Sequence, residues 1–287
     1  MSHRRPRAFV VFHAALLVFS VLLPAISACG PPRSSGPVRL APIPMRDAIE
    51  IVNRNTAKIT GTLRAAGPVD GTYSGPDGRR RNYHLDGTLF YLAPRHFRFD
   101  LKRFGDRQML LGSNEDRFWC YNREDDSYFC GRHDAVEDFP GALPARPDQI
   151  IDALGLSRIS GDDAPPAGGP GSIQRVVEDY QEILFIEEDP AGKLALRKEC
   201  WLDRCDLRLI RYVVFRDADG IIEMESKLSD YQPLAPGGPM LPHRIEAAWP
   251  KDGATMRLNV RKWAMEPQVG PAAVQFATPR ECMDQTD

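Results

Sequence analysis

Residues 83–102 read YHLDGTLFYLAPRHFRFDLK. In the second half Phe97, Phe99 and Leu101 alternate with His96, Arg98, Asp100 and Lys102. A period of two places the apolar set on one face of an extended chain and the charged set on the other, which is the pattern of a half-buried strand. Ala93-Pro94-Arg95 breaks the run and supplies a turn, so the stretch reads as two antiparallel strands.

Working outward, the same grammar repeats. Turn residues at 75–78, 104–106 and 113–116 separate further short runs, with strands expected at 117–121 and 127–132. Beyond a Gly/Pro-rich crossover at 157–172, strands resume at 174–188, 193–201, 206–216, 221–231, 244–249 and 255–263. Two helices interrupt them. Residues 45–59 carry Met45, Ile49, Val52, Thr56 and Ile59 on one stripe, with Pro44 before the first turn and Asp47 and Glu50 near its positive end. Residues 147–155 open on Pro147 and close on Gly155. The expectation is an α+β domain over 45–280: a strongly curved antiparallel sheet whose concave face is covered by the helices, with a tail at 281–287. No internal repeat is present.

The chain has 287 residues, 43% hydrophobic, 26% charged and 9% aromatic, which is globular composition. Thirty-seven basic against 39 acidic residues lack the excess of positive charge that phosphate tracking needs, so nucleic acid is excluded as a partner.

Arg4, Arg5 and Arg7 precede an apolar run at 8–23 and a small-residue zone ending Ile26-Ser27-Ala28-Cys29. A cationic start, a short apolar core and small residues describe an export signal at 1–28, too short to span a bilayer as a helix. Ile26, Ser27 and Ala28 before Cys29 resemble a bacterial lipobox, which implies a diacylated Cys29 at the head of the mature chain. Removing the three arginines leaves 34 basic against 39 acidic residues. Residues 29–44 are rich in Pro, Gly and Ser and read as a tether to the membrane. Gly30, in place of an aspartate, implies the outer rather than the inner membrane under the sorting rule of such lipoproteins.

Five other cysteines remain. Hairpin pairing centred on Asp125 would bring Cys120 opposite Cys130, and the turn at 201–204 would allow Cys200 to pair with Cys205; Cys282 is left over. A zinc site at Cys120, Cys130 and His133 lacks a fourth ligand and a common spacing.

Leu63, Asn53-Arg54-Asn55, Gly87-Thr88-Leu89, Phe97–Leu101 and the segment LGSNEDRFWCY at 111–121 resemble the lipoprotein-localisation-factor superfamily, the LolA/LolB-like proteins. The resemblance implies an unclosed β-barrel with helices over its opening and an apolar cavity for acyl chains or lipoproteins. Phe97, Phe99, Trp119, Tyr121 and Phe185 are then candidates to line that cavity; the same residue types equally suit a filled core. The family's membrane receptor carries an exposed apolar loop residue, for which no equivalent is evident in the sequence.

Chemistry is sparse. The histidines are scattered, and no phosphate loop, nucleophile elbow or dinucleotide fingerprint occurs. Asp217-Ala218-Asp219-Gly220 begins like a calcium loop, but Ile221-Ile222 follow where oxygen ligands are needed. Arg79-Arg80-Arg81 reads as a solvated turn, with contact to anionic headgroups as the alternative. No catalytic residue, metal or cofactor is expected. The reading is a non-enzymatic, lipid-anchored, periplasm-facing protein of the cell envelope that handles acyl chains or lipoproteins. A protein-interaction or stress-sensing module with the same fold is the alternative.

Overall fold

Residues 38–74, 78–124, 126–133, 147–159, 171–188, 192–266 and 274–283 are described by a computed structural model. Six strands come first: β1 (Thr62–Ser74), β2 (Arg80–Leu92), β3 (His96–Arg103), β4 (Asp106–Ser113), β5 (Arg117–Asn122) and β6 (Ser127–Arg132). Eight follow: β7 (Ser172–Val177), β8 (Tyr180–Glu188), β9 (Leu194–Asp203), β10 (Ile210–Arg216), β11 (Ile222–Pro233), β12 (Met240–Trp249), β13 (Ala254–Asn259) and β14 (Lys262–Glu266). All join one antiparallel sheet in the order β6-β5-β4-β3-β2-β1-β13-β12-β11-β10-β9-β8-β7, with β14 also on β1. β6 and β7 end the order without meeting, so the barrel is unclosed, as the sequence led us to expect. Helices α1 (Met45–Thr56) and α2 (Pro147–Ala153) cover one face, and α3 (Arg280–Met283) lies near the C-terminus.

The centre of the sheet is β1, and its composition explains how. On one side it pairs with β2 along its length; on the other it pairs first with β14 at 62–66 and then with β13 at 69–72. The change of partner falls at Gly67-Pro68. Pro68 has no ladder N–H to lose. A Cβ on Gly67 would lie 1.9 Å from the Asn259 carbonyl oxygen, so only glycine admits the crossing chain. The Arg261 N–H then donates to the Ala66 carbonyl at 2.9 Å.

Two expected strands are each divided in two. Residues 174–188 turn at Glu178, which has φ 45°, so β7 and β8 pair with one another. Residues 255–263 divide at Val260 into β13 and β14. The first helix ends at Thr56, three residues before the apolar stripe does.

Cys120 and Cys130 do not pair. The register joins Asn122 to Ser127, which centres the hairpin half a residue before Asp125. Cys120 therefore faces Phe129, and Cys130 faces Trp119. Offset by one residue, the two thiols lie on opposite faces of the sheet. Cys130 is bonded instead to Cys282, with Cα atoms 5.5 Å apart, while Cys120, Cys200 and Cys205 are free thiols. The expected Cys200–Cys205 bridge is absent because Cys200 is buried on β9 and Cys205 sits on the following turn.

The disulfide holds a C-terminal strap against the outer face. Arg117 Nη1 donates to the Cys282 carbonyl at 2.7 Å, Asn114 Nδ2 to Thr278 Oγ1 at 3.0 Å, and the Phe276 ring meets His96 edge-on at 5.4 Å. Beneath the strap Leu110, Trp119 and Cys282 form a small separate core. Gly112 is part of its floor, since a Cβ there would lie 2.4 Å from the Trp119 ring.

The last residues of the expected tether belong to the folded unit, which contacts group as Arg39–Asp287. Leu40 N donates to the Arg204 carbonyl at 2.8 Å, and Gln181 Nε2 donates to the Ile43 carbonyl at 3.0 Å. Asn53 and Asn55 make the same kind of clasp, each side-chain amide exchanging two hydrogen bonds with one backbone residue. Asn53 does so with Ile159 (2.7 and 2.9 Å) and Asn55 with Met240 (3.0 and 2.8 Å). A primary amide offers the same N–H and C=O as a peptide group, so it can stand in for a missing strand. Asn55→Ala is expected to lower stability by about 1–3 kcal/mol, because Met240 would keep an unpaired N–H and C=O. Urea midpoints of the two proteins measure this, and a change below about 0.5 kcal/mol would contradict it.

Candidate functional site

The helix-covered face is assembled from alternate residues of the strands. Phe97 and Phe99 from β3, Phe185 from β8, Leu63 from β1 and Leu89 from β2 all point to it. They join one continuous apolar cluster with Ala48 and Val52 of α1 and with Ile150 and Ile151 of α2. Three of the five expected lining residues are therefore together. Trp119 and Tyr121 are not: they share the outer face with Cys130 and pack under the C-terminal strap. Aromatic content alone selected them, whereas strand parity places Phe118 and Cys120 inward.

Polar pins fix α2 over this face. Asp152 pairs with Lys198 of β9, whose ammonium also lies 5.3 Å from the Phe185 ring centre and 5.7 Å from that of Phe215. Ser226 Oγ donates to the Ala153 carbonyl at 2.7 Å, and the Tyr91 hydroxyl reaches the Leu156 carbonyl at 3.4 Å. These side chains were invisible to sequence reasoning because each lies on an otherwise ordinary strand.

The face offers little to a reaction. Burial pushes the Cys200 thiol up to about 12 and also raises Cys120, so neither supplies a thiolate at neutral pH. Among the described residues no group of three or more His, Cys, Asp or Glu could hold a metal. Cys130 is committed to its disulfide, which removes it from the zinc set. Asp217 is a turn residue: its Oδ1 accepts from Asp219 N and Ile221 N at 2.9 Å each, and Lys251 pairs with its other oxygen.

One rim of the barrel gathers the turns at 104–105, 123–126, 217–220 and 250–253. Arg123 meets Asp106 at 3.4 Å and Lys251 meets Asp217 there. Phe104 stands out on that rim, 93% exposed with φ 53° and with the Arg103 guanidinium 5.5 Å from its ring centre. It is an exposed apolar loop residue of the sort not found by sequence reading. Glycine and aspartate nearby marked the turn, but nothing marked the side chain as outward. Of the basic run, Arg81 pairs with Glu124 and Arg80 donates to Thr72 at 3.2 Å.

The lipobox residues Ile26, Ser27, Ala28 and Cys29 lie outside the described residues. Among the described residues no helix is long and apolar enough to cross a membrane.

No family model matches the sequence, and no curated protein matches it. Solved structures do. A LolA superfamily protein from Nitrosomonas europaea superposes with a TM-score of 0.50 at 12% identity, over 79% of this chain and 96% of that one. A DUF1329 family protein from Desulfovibrio piger superposes with a TM-score of 0.49 at 11% identity, over 80% and 97%. The unclosed antiparallel barrel with helices over one face has the LolA/LolB-like fold.

Proposed function

We propose that this chain is a lipid-anchored protein of the cell envelope that binds acyl chains or lipoproteins between its sheet and its helices, without catalysis. The observation that carries the reading is the apolar face closed by two short helices that polar contacts pin in place. An acyl chain of about 16 carbons gains about 0.8 kcal/mol for each CH₂ it buries, or roughly 12 kcal/mol in all. Lifting α2 exposes Ile150, Ile151, Leu154 and Leu156, at about 1.5–3 kcal/mol each. The two sums are comparable, so exchange of helix for acyl chain is energetically accessible.

Phe104, preceded by Lys102 and Arg103, adds an apolar tip with cationic neighbours, which suits contact with an anionic bilayer surface. The lipobox at Ile26–Cys29 supports anchoring through Cys29, and Gly30 supports the outer membrane.

Native mass spectrometry of the protein released gently from envelopes tests both halves of the proposal. The expected spectrum carries noncovalent lipid, and a Cys29→Ala variant is unanchored and takes up no labelled palmitate. Lipid-free protein under every extraction condition, with no binding of a fluorescent fatty acid after delipidation, would reject acyl-chain binding. Stable protein partners recovered without lipid would favour the sensing module instead. Palmitate labelling that persists in Cys29→Ala would reject the anchor.

A further inference from the structure

On the outer face, opposite the helices, residues from nine strands line up directly across from one another. Arg175, Glu182, Trp201 and Tyr212 occupy consecutive positions across β7, β8, β9 and β10. Lys227, Glu246, Arg257, Asp70 and His84 continue the row across β11, β12, β13, β1 and β2. The residues are far apart in sequence, and only the register assembles them.

Most of the charges in the row are answered within the face. Arg175 pairs with Glu182 and His84 with Asp70. Glu246 accepts from Arg257 Nε and Arg244 Nη2, both at 2.8 Å. The middle of the row borders a trough with a cavity volume of about 660 Å³, within the range of small-molecule sites. Asp70, Glu225 and Glu246 line it with Lys227 and Arg257, while Thr72, Asn82 and Thr255 add neutral hydrogen-bonding groups.

One end of the trough is lined by Tyr212, the near member of an aromatic cluster that continues beyond the trough. Tyr212 packs on Trp201 at 5.4 Å between ring centres, and Tyr180 meets each of them at 5.6 Å. Rings this close touch one another, which leaves no space among them for a quaternary ammonium. The Trp201 indole N–H donates to Glu199 at 3.0 Å, and Arg216 holds that carboxylate at 2.7 Å. The platform is therefore fixed before any ligand arrives, which reduces the ordering cost of binding.

This chemistry selects against several ligands. A phosphate or other anion would meet three carboxylates against two cations. An acyl chain would strip water from charged groups without replacing their hydrogen bonds. A pyranose ring fits both parts: its hydroxyls can donate to carboxylates and accept from amide, hydroxyl and cationic groups, and its C–H face can lie on an aromatic ring. We propose that the outer trough is a glycan-binding site that extends past its end, with Tyr212, Trp201 and Tyr180 as the stacking platform and Glu225, Lys227, Asn82 and Thr255 as hydroxyl partners. It uses the opposite face of the sheet from acyl-chain binding and stands independently of it.

Tryptophan emission provides the test. Trp119, Trp249 and Trp263 are buried, whereas Trp201 is half-exposed, so a ligand on the platform perturbs Trp201 first. The delipidated protein is titrated separately with maltotetraose and with chitotetraose to about 10 mM, the weak end of specific affinity. A saturable change with either is expected, and the two arms separate plain from acetamido sugars. Calorimetry should show at least a tenfold weaker affinity in Trp201→Ala and a several-fold weaker one in Glu225→Gln/Lys227→Ala. The double variant changes only exposed side chains, so it reports on the site even if Trp201→Ala does not fold. No saturable response to either sugar would overturn the proposal, as would unchanged affinity in the double variant.

Discussion

Gly67→Ala is expected to destabilise the protein by about 3 kcal/mol or more, or to prevent folding outright. The added methyl group would stand 1.9 Å from the Asn259 carbonyl oxygen and 2.9 Å from its carbon. Backbone, unlike the end of a flexible side chain, cannot swing aside. Relief would require β13 and β14 to move off β1 at the one place where the chain crosses from one to the other. The Arg261–Ala66 hydrogen bond at 2.9 Å lies at that crossing and would be lost with the movement. Gly78 is the natural control, because a Cβ there meets nothing within 4 Å. Its φ of 70° still imposes a backbone cost of about 1 kcal/mol on alanine. Thermal unfolding of the two variants should separate them clearly; a Gly67→Ala protein with an unchanged midpoint would show that the crossing has room for a methyl group.

Loss of the Cys130–Cys282 disulfide is expected to cost about 2–5 kcal/mol. The bond closes a loop with a sequence separation of 152 residues, so its loss releases much conformational freedom in the unfolded chain. In the folded state the strap keeps its hydrogen bonds to Arg98, Arg117 and Asn114 and the apolar contacts of Phe276 and Cys282. Trp119 and Leu110 should consequently open to solvent before the main core does. Cys282→Ser, compared with the oxidised parent in urea, should show the lower midpoint. Hydrogen exchange should rise first in β5 and β6. A shift below about 0.5 kcal/mol would mean that the strap is held by its polar contacts alone.

Much of the architecture could be read from residues 83–102, because strands with one apolar face announce themselves by alternation. β1 was only glimpsed through Leu63. It is central and yet carries Ala65, Ala66, Gly67, Pro68 and Gly71 where strand-formers would be expected. Small residues are what a strand with partners changing along its length requires, and they erase the periodic signal. The hairpin at Glu178 was missed because a non-glycine residue holds the left-handed turn.

The helix-covered site was partly legible. Phe97 and Phe99 lie in a stretch whose alternation already gives their face, whereas Phe185, Trp119 and Tyr121 were selected by aromatic content and only the register of their strands decides which way they point. In the β5–β6 hairpin a register one residue from the expected one undoes the Cys120–Cys130 pairing. The amide clasps of Asn53, Asn55 and Gln181 had no local signature, since their partners lie more than a hundred residues away. The outer row is the extreme case, because no two adjacent members of it are neighbours in the chain.

The docking of residues 39–44 has a consequence for the membrane anchor proposed above. Arg204 N donates to the Asp179 carbonyl at 2.9 Å, so the turns on which Leu40 rests lie together at one rim. Antiparallel alternation puts Phe104 at the other. A strand the length of β1, 13 residues, spans about 43 Å at about 3.3 Å per residue. The ten residues from Cys29 to Val38 can reach no more than about 35 Å even when fully extended. With a lipid on Cys29, as proposed above, a barrel standing upright on these residues would hold Phe104 away from the anchoring bilayer. Under that proposal, the anchor and Phe104 would meet the same leaflet only with the barrel on its side.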